Sequence, residues 1–83
     1  MMTAKEAKTL TTNYLNTEAY KHLQKIEGHI QNCASKGNTA MYYSNGIGEA
    51  DSRIQAKVYN TLNEAGYKVN WSGSSLYISW AEA

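Results

Sequence analysis

Two histidines and a lysine recur at helical spacing in the first half of the chain. His22, Lys25 and His29 lie three and four positions apart, so one face of a helix would present all three. Cationic side chains arranged in this way can bind phosphate oxygens through charge-assisted hydrogen bonds. The alternative is a solvated flank of an amphipathic helix, which is the commoner role of such residues.

The single cysteine, Cys33, is a candidate for metal binding or catalysis. It follows His29 by four positions, but a zinc site normally needs more than two protein ligands. Glu27 and His29 could serve Cys33 as a base only if the fold brought them together, and a lone cysteine on an apolar seam is usually a core residue. We therefore expect no enzyme activity, no metal and no cofactor.

The segment "GIGEAD", residues 46 to 51, is a two-glycine turn before a predicted helix. Backbone N–H groups at such a turn can bind an anion. The segment lacks the Lys-Ser/Thr pair of a phosphate-binding loop, so an ordinary turn is the preferred interpretation.

Tyrosine and tryptophan supply all of the aromatic bulk, since the chain has seven Tyr, two Trp and no Phe. Such a small core cannot hold every ring, and Tyr42 and Tyr77 are the ones left over. A ring on a polar sheet face can stack on a nucleobase, and Arg53 or Lys68, expected to lie near these tyrosines, could hold a phosphate. The alternative is that this face packs on a sister subunit. Both roles are compatible, because ligand pockets often form at interfaces.

Composition limits the classes of protein to which the chain can belong. With 83 residues, 42% hydrophobic and 18% charged, it fits one globular domain spanning residues 1–83. A net charge of +1 disfavours binding to bulk nucleic acid or to a membrane surface. The start "MMTAKEAK" lacks the apolar core of a signal peptide, and no apolar run could span a bilayer. We expect a cytoplasmic location.

Helical signals divide the chain into two helical regions. Thr3 and Glu6 form a capping box that predicts a helix from Ala4, and a break is expected near Asn16, where helix propensity falls. A strand is predicted in "NTAMYYS", followed by a helix from about residue 49 to 65 that Gly66 ends. Apolar residues four and three apart draw a seam along the first helix: Ala19, Leu23, Ile26, Ile30 and Cys33.

The C-terminal stretch "GYKVNWSGSSLYISW" predicts a β-hairpin that turns at Gly73. Alternation places Lys68 and Asn70, with Tyr77 and Ser79, on a polar face. The other face should meet the helices, and its members are Tyr67, Val69, Trp71, Leu76, Ile78 and Trp80. We predict an α+β fold with helices on one face of a small three-stranded sheet, and a parallel pairing of the first two strands through the second helix.

A homo-oligomer is expected from the same patterns. The apolar seam of the first helix is longer than a three-stranded sheet should cover, so part of it would be left for a sister subunit.

Four segments in the same order resemble a widespread group of very short tailed-phage proteins. They are "MTAKEAK", "IEGHIQNCASKG", "LNEAGYKV" and "YISW", and together they span nearly the whole chain. The resemblance implies a phage protein acting in the cytoplasm of the infected bacterial host. The segment "SNGIGEADSRIQ" is longer here than the usual pattern, so a ligand contact there would be less transferable.

Small oligomeric phage proteins of this general kind include sponges that sequester nucleotide immune signals, and this analogy of class suggests a function. We expect the chain to bind a cyclic or ADP-ribose-type nucleotide without cleaving it. The alternative is a structural or protein-interaction module that binds a host or virion protein.

Overall fold

The computed structural model describes residues 1–82, and Ala83, the last residue of the predicted domain, lies outside them. The α+β class is confirmed, with two helices and a three-stranded sheet. The elements are α1, Ala4–Ser35; β1, Ala40–Tyr43; a 3-10 turn, Ile47–Glu49; α2, Ser52–Glu64; β2, Lys68–Ser72; and β3, Ser75–Ser79.

The predicted capping box starts α1, because the hydroxyl of Thr3 accepts a hydrogen bond from the Glu6 N–H at 3.2 Å. The break expected near Asn16 is wrong, since α1 runs unbroken for 32 residues. The hydroxyl of Thr17 donates back to the Asn13 carbonyl at 2.8 Å, within the helix. Ala19 packs in the core and fixes the helical turn that follows Asn16. Tertiary contacts therefore override the low helix propensity of this segment.

The seam of α1 packs against the core of its own chain. Ala19 and Ile26 are each 1% exposed, and the other three seam residues pack against the same core. Leu23, Ile30 and Cys33 are only partly buried, and the homo-oligomer stays a prediction. The exposed part of α1 is its start, where residues 1–14 extend past the core and carry Leu10 and Tyr14 in solvent.

The sheet has the order β1-β3-β2, with antiparallel pairing on both sides of β3. The predicted direct pairing of β1 with β2 is wrong: the two strands run in the same direction, but β3 lies between them. The central place suits β3, because Leu76 and Ile78 are both fully buried and need neighbours on each side. Gly73 has a φ of 61° in the two-residue turn that joins β2 to β3.

Both helices pack on one face of the sheet, here called the inner face, and form one core with it. Val69, Leu76 and Ile78 point there as alternation predicts. Trp71 belongs to the same face of the same edge strand as Val69, but it is 42% exposed. It is therefore not the closed core residue that was predicted.

The turn between β1 and α2 is fixed to the hairpin. Ile47 is fully buried, and a Cβ placed on Gly48 would lie 2.5 Å from the carbonyl oxygen of Ser74. Three N–H groups of this segment bond within it: Ile47 to Ser44, Glu49 to Gly46, and Ala50 to Ile47. The segment therefore acts as a packed turn, which agrees with the preferred interpretation of "GIGEAD".

Candidate functional site

The sheet face opposite the helices is open and carries polar and aromatic side chains; we call it the outer face. Its central row pairs Tyr42 and Asn70 with Tyr77 of β3, and the next row pairs Ala40 and Lys68 with Ser79. Strand alternation requires this arrangement, because these residues lie between the buried positions of each strand.

Tyr42 and Tyr77 form the main feature of the outer face. Their ring centroids are 5.1 Å apart and the planes are tilted by 56°, within the range of attractive aromatic pairs. Tyr42 is 66% exposed, whereas Tyr77 is half-buried. The pair is thus held in place by cross-strand contact, yet one ring remains available to a planar ligand.

Lys68 is the cation of this face. It occupies the row next to Tyr77, diagonally across the strands, a separation that long side chains can bridge. Its ammonium lies 3.8 Å from a carboxylate oxygen of Glu82, and both groups are exposed. Such a pair contributes little to stability, so Lys68 is free to exchange this partner for an anionic ligand.

A hollow of about 270 Å³ adjoins Lys68 at the end of the sheet. Trp80 lines it and packs edge-on against Tyr67, with ring centroids 6.3 Å apart. The complete lining is Asn63, Gly66, Tyr67, Lys68, Ser79, Trp80 and Glu82. Amide, hydroxyl, ammonium and carboxylate groups therefore surround a concave surface at this end of the sheet, and Lys68 and Ser79 are the outer-face residues that line it.

The histidines lie on the helix side of the sheet. His22 Nδ1 is 2.6 Å from the hydroxyl of Tyr43, a buried residue of the inner face. Burial raises the pKa of Tyr43, opposed in part by the side chain of Asn45, so the phenol keeps its proton and forms a neutral hydrogen bond with the imidazole. Burial, then the charge of Lys25, lowers the pKa of His22, while Glu18 acts in the opposite direction. His22 is thus used in packing.

Lys25 and His29 remain together on the exposed side of α1, where they line a shallow hollow with Gln24, Gly28 and Asn32. His29 also contacts Tyr43 edge-on, with ring centroids 6.2 Å apart. The three cationic residues predicted on one helical face are therefore divided between two environments, and the sheet separates all of them from Tyr42 and Tyr77.

Arg53 is also separated from the tyrosine pair, because it belongs to α2 on the helix side. Its guanidinium binds the carboxylate of Asp51, at 3.0 Å through Nε and 2.8 Å through Nη2. Asp51 caps α2 by accepting from the Arg53 N–H at 2.8 Å, and these hydrogen bonds lower the pKa of Asp51 to about 2. The expectation that Arg53 lies near Tyr77 is wrong.

The structure adds residues to the candidate site that sequence reasoning left out of it. Asn63 and Glu82 line the hollow beside Lys68, but nothing in their spacing distinguishes them from ordinary surface residues. Asn70 was placed on the polar face by alternation alone, and its register opposite Tyr77 assigns it to the aromatic row.

No protein-family model matches the chain, and neither a curated protein nor a solved structure is detectably similar to it. Among residues 1–82, no three His, Cys, Asp or Glu side chains come together in a group that could hold a metal ion. Over the same residues, each helix is too short or too polar to cross a membrane.

Proposed function

We propose that this protein is a phage accessory protein that binds and sequesters a nucleotide-derived host immune signal, of the cyclic or ADP-ribose type, without cleaving it. One observation carries the proposal: the exposed Tyr42–Tyr77 pair, with ring centroids 5.1 Å apart, shares an open sheet face with Lys68. The resemblance to short tailed-phage proteins supports a phage origin and a location in the cytoplasm of the infected host.

The chemistry of the outer face fits the two halves of a nucleotide. A nucleobase can stack on the Tyr42 ring, since stacking on an aromatic side chain needs only a π-face and contributes about 1 to 3 kcal/mol per base. Lys68 can hold a phosphate as a point charge. The adjoining hollow offers Asn63 and Glu82 to sugar hydroxyls, a role that carboxylates play in dinucleotide sites.

Binding without cleavage is supported by where the reactive side chains lie. Hydrolysis needs a base or a nucleophile within hydrogen-bond reach of the reacting atom. His22 is engaged with Tyr43 on the inner side of the sheet, and Cys33 packs at the edge of the core. Neither shares the outer face with Lys68, and the carboxylate nearest to Lys68, that of Glu82, is exposed and lies 3.8 Å from the Lys68 ammonium.

A protein-interaction module remains the competing function, and the exposed start of α1 favours it. Leu10 and Tyr14 are 55% and 61% exposed on a helical segment whose residues 1–14 are all exposed. Such a module would not respond to nucleotides.

The experiment that separates these functions is binding followed by recovery. Purified protein is mixed with a panel of cyclic and ADP-ribose-type nucleotides, freed of unbound material, denatured, and the released compound identified by mass spectrometry. The proposal expects one class of nucleotide to be retained and released intact. Altered nucleotide would indicate an enzyme, and retention of none would favour the interaction module; either result would contradict the proposal.

A further inference from the structure

The strand β2 forms an open edge of the sheet. It pairs with β3 on one side only, and among residues 1–82 no backbone hydrogen bond joins β2 to an element other than β3. Proteins usually protect such edges with proline, bulges or several charges. The five residues of β2 instead pair one-to-one with β3 from Lys68 to Ser72, contain no proline and carry one charge.

An apolar side chain is exposed beside this edge. Trp71 points to the inner face, where the neighbouring Val69 is 3% exposed, yet Trp71 is 42% exposed. It lines a groove with Tyr59 and Ala56 of α2. The opposite edge differs, because the inner-face residues of β1, Met41 and Tyr43, are only 7% and 2% exposed. On the inner face, apolar surface is therefore exposed at the β2 edge and not at the β1 edge.

We propose that β2 pairs antiparallel with β2 of a second copy of this chain, which makes a two-fold symmetric dimer with a continuous six-stranded sheet. In the register centred on Asn70, each Trp71 lies opposite Val69 of the second copy, and each Lys68 lies opposite Ser72. Inner-face residues then meet inner-face residues, as strand alternation requires. No like charges face each other, and Trp71 becomes covered.

The occupant is a second copy because β2 is complementary to itself in this register. The strand has five residues, and pairing centred on its middle residue, Asn70, obeys the two-fold symmetry that such an interface requires. The interface consists of one β2–β2 strand pair, to which each copy contributes one Trp71. It therefore buries less surface than a standard protein–protein interface. The dimer should therefore be weak and dependent on protein concentration. It would also join two outer faces, each with its own tyrosine pair, into one surface.

The test changes the charge opposite Lys68 and follows the mass by analytical ultracentrifugation over micromolar to submillimolar protein. Ser72 is exposed, so its replacement should leave the fold intact, as circular dichroism would verify. Ser72→Lys places like charges opposite each other twice per dimer and should raise the dimer Kd roughly 2- to 30-fold. Ser72→Glu should lower the Kd over a similar range.

Two further variants fix the register and the edge. Combining Lys68→Glu with Ser72→Lys restores opposite charges and should reverse the loss caused by Ser72→Lys alone. Ser44→Lys adds the same charge beside β1, at the other edge, and should leave the mass unchanged. A wild-type protein that stays monomeric throughout, or a dimer that both Ser72 variants leave unaltered, would overturn the proposal.

Discussion

Replacement of Gly48 with alanine should destabilise the fold, because the turn before α2 approaches the hairpin tip at this glycine. A Cβ there would lie 2.5 Å from the Ser74 carbonyl oxygen, 2.6 Å from its Cβ and 2.8 Å from its Cα. Two of the three obstructing atoms belong to the backbone, so a rotamer change cannot relieve the contact. The hairpin tip or the 3-10 turn must move.

The expected magnitude combines two opposing effects. Overpacking of this kind costs about 1 to 3 kcal/mol, while alanine restricts the unfolded chain and returns about 0.4 to 1 kcal/mol. With both effects at the middle of their ranges, the net loss should be about 1.3 kcal/mol, which lowers the Tm of a domain this size by about 5 to 10 °C. Thermal unfolding followed by circular dichroism measures it directly.

Gly28 provides a matched control within the same chain. It lies inside α1, and a Cβ there would have no heavy atom within 4 Å. Gly28→Ala should therefore raise stability by about 0.5 to 1 kcal/mol, since glycine weakens a helix interior. A Gly48→Ala protein as stable as the wild type would refute the argument that these two segments are in tight contact.

Two more predictions concern the core and its histidine. The pKa of His22 is lowered in the folded chain. As the pH falls, His22 is therefore protonated first in the unfolded chain, near the ordinary histidine pKa of 6.5. The free energy of unfolding should thus fall as the pH drops from 6.5 through the lowered pKa; a His22→Gln protein with the same thermal-unfolding profile against pH would argue against this. Ile26→Ala should cost about 2 to 5 kcal/mol in denaturant unfolding, because Ile26 is 1% exposed. Leu10→Ala, at a 55% exposed position, should change stability by no more than about 0.5 kcal/mol, and equal losses would contradict the proposed packing of α1.

Local signals predicted the elements well where one interaction decides the structure. The capping box at Thr3 starts α1, and Gly66, with a φ of 100°, follows α2 where a left-handed residue was expected. Alternation assigned Val69, Leu76 and Ile78 to the inner face correctly. Each of these depends on neighbours within a few residues, and so can be inferred from a short stretch of sequence.

Long-range geometry accounts for the errors. Strand order depends on which edge the hairpin presents to β1, and nothing within a single strand specifies that β3 lies between β1 and β2. Arg53 lies far from Tyr77 for the same reason, because the sheet separates α2 from the outer face. Helical spacing grouped His22 with Lys25, but it could not foresee that Tyr43 would take His22 as a hydrogen-bond partner.

The most direct test of the proposed function is calorimetric titration of the retained nucleotide into the wild type and Tyr42→Ala. Tyr42 is 66% exposed, so its loss should spare the fold. Removal of one stacking ring should weaken binding about 5- to 150-fold, the equivalent of 1 to 3 kcal/mol. Tyr20→Ala, which removes a 60% exposed ring from α1, should bind like the wild type. Equal affinity in all three proteins would contradict a binding site on the outer face.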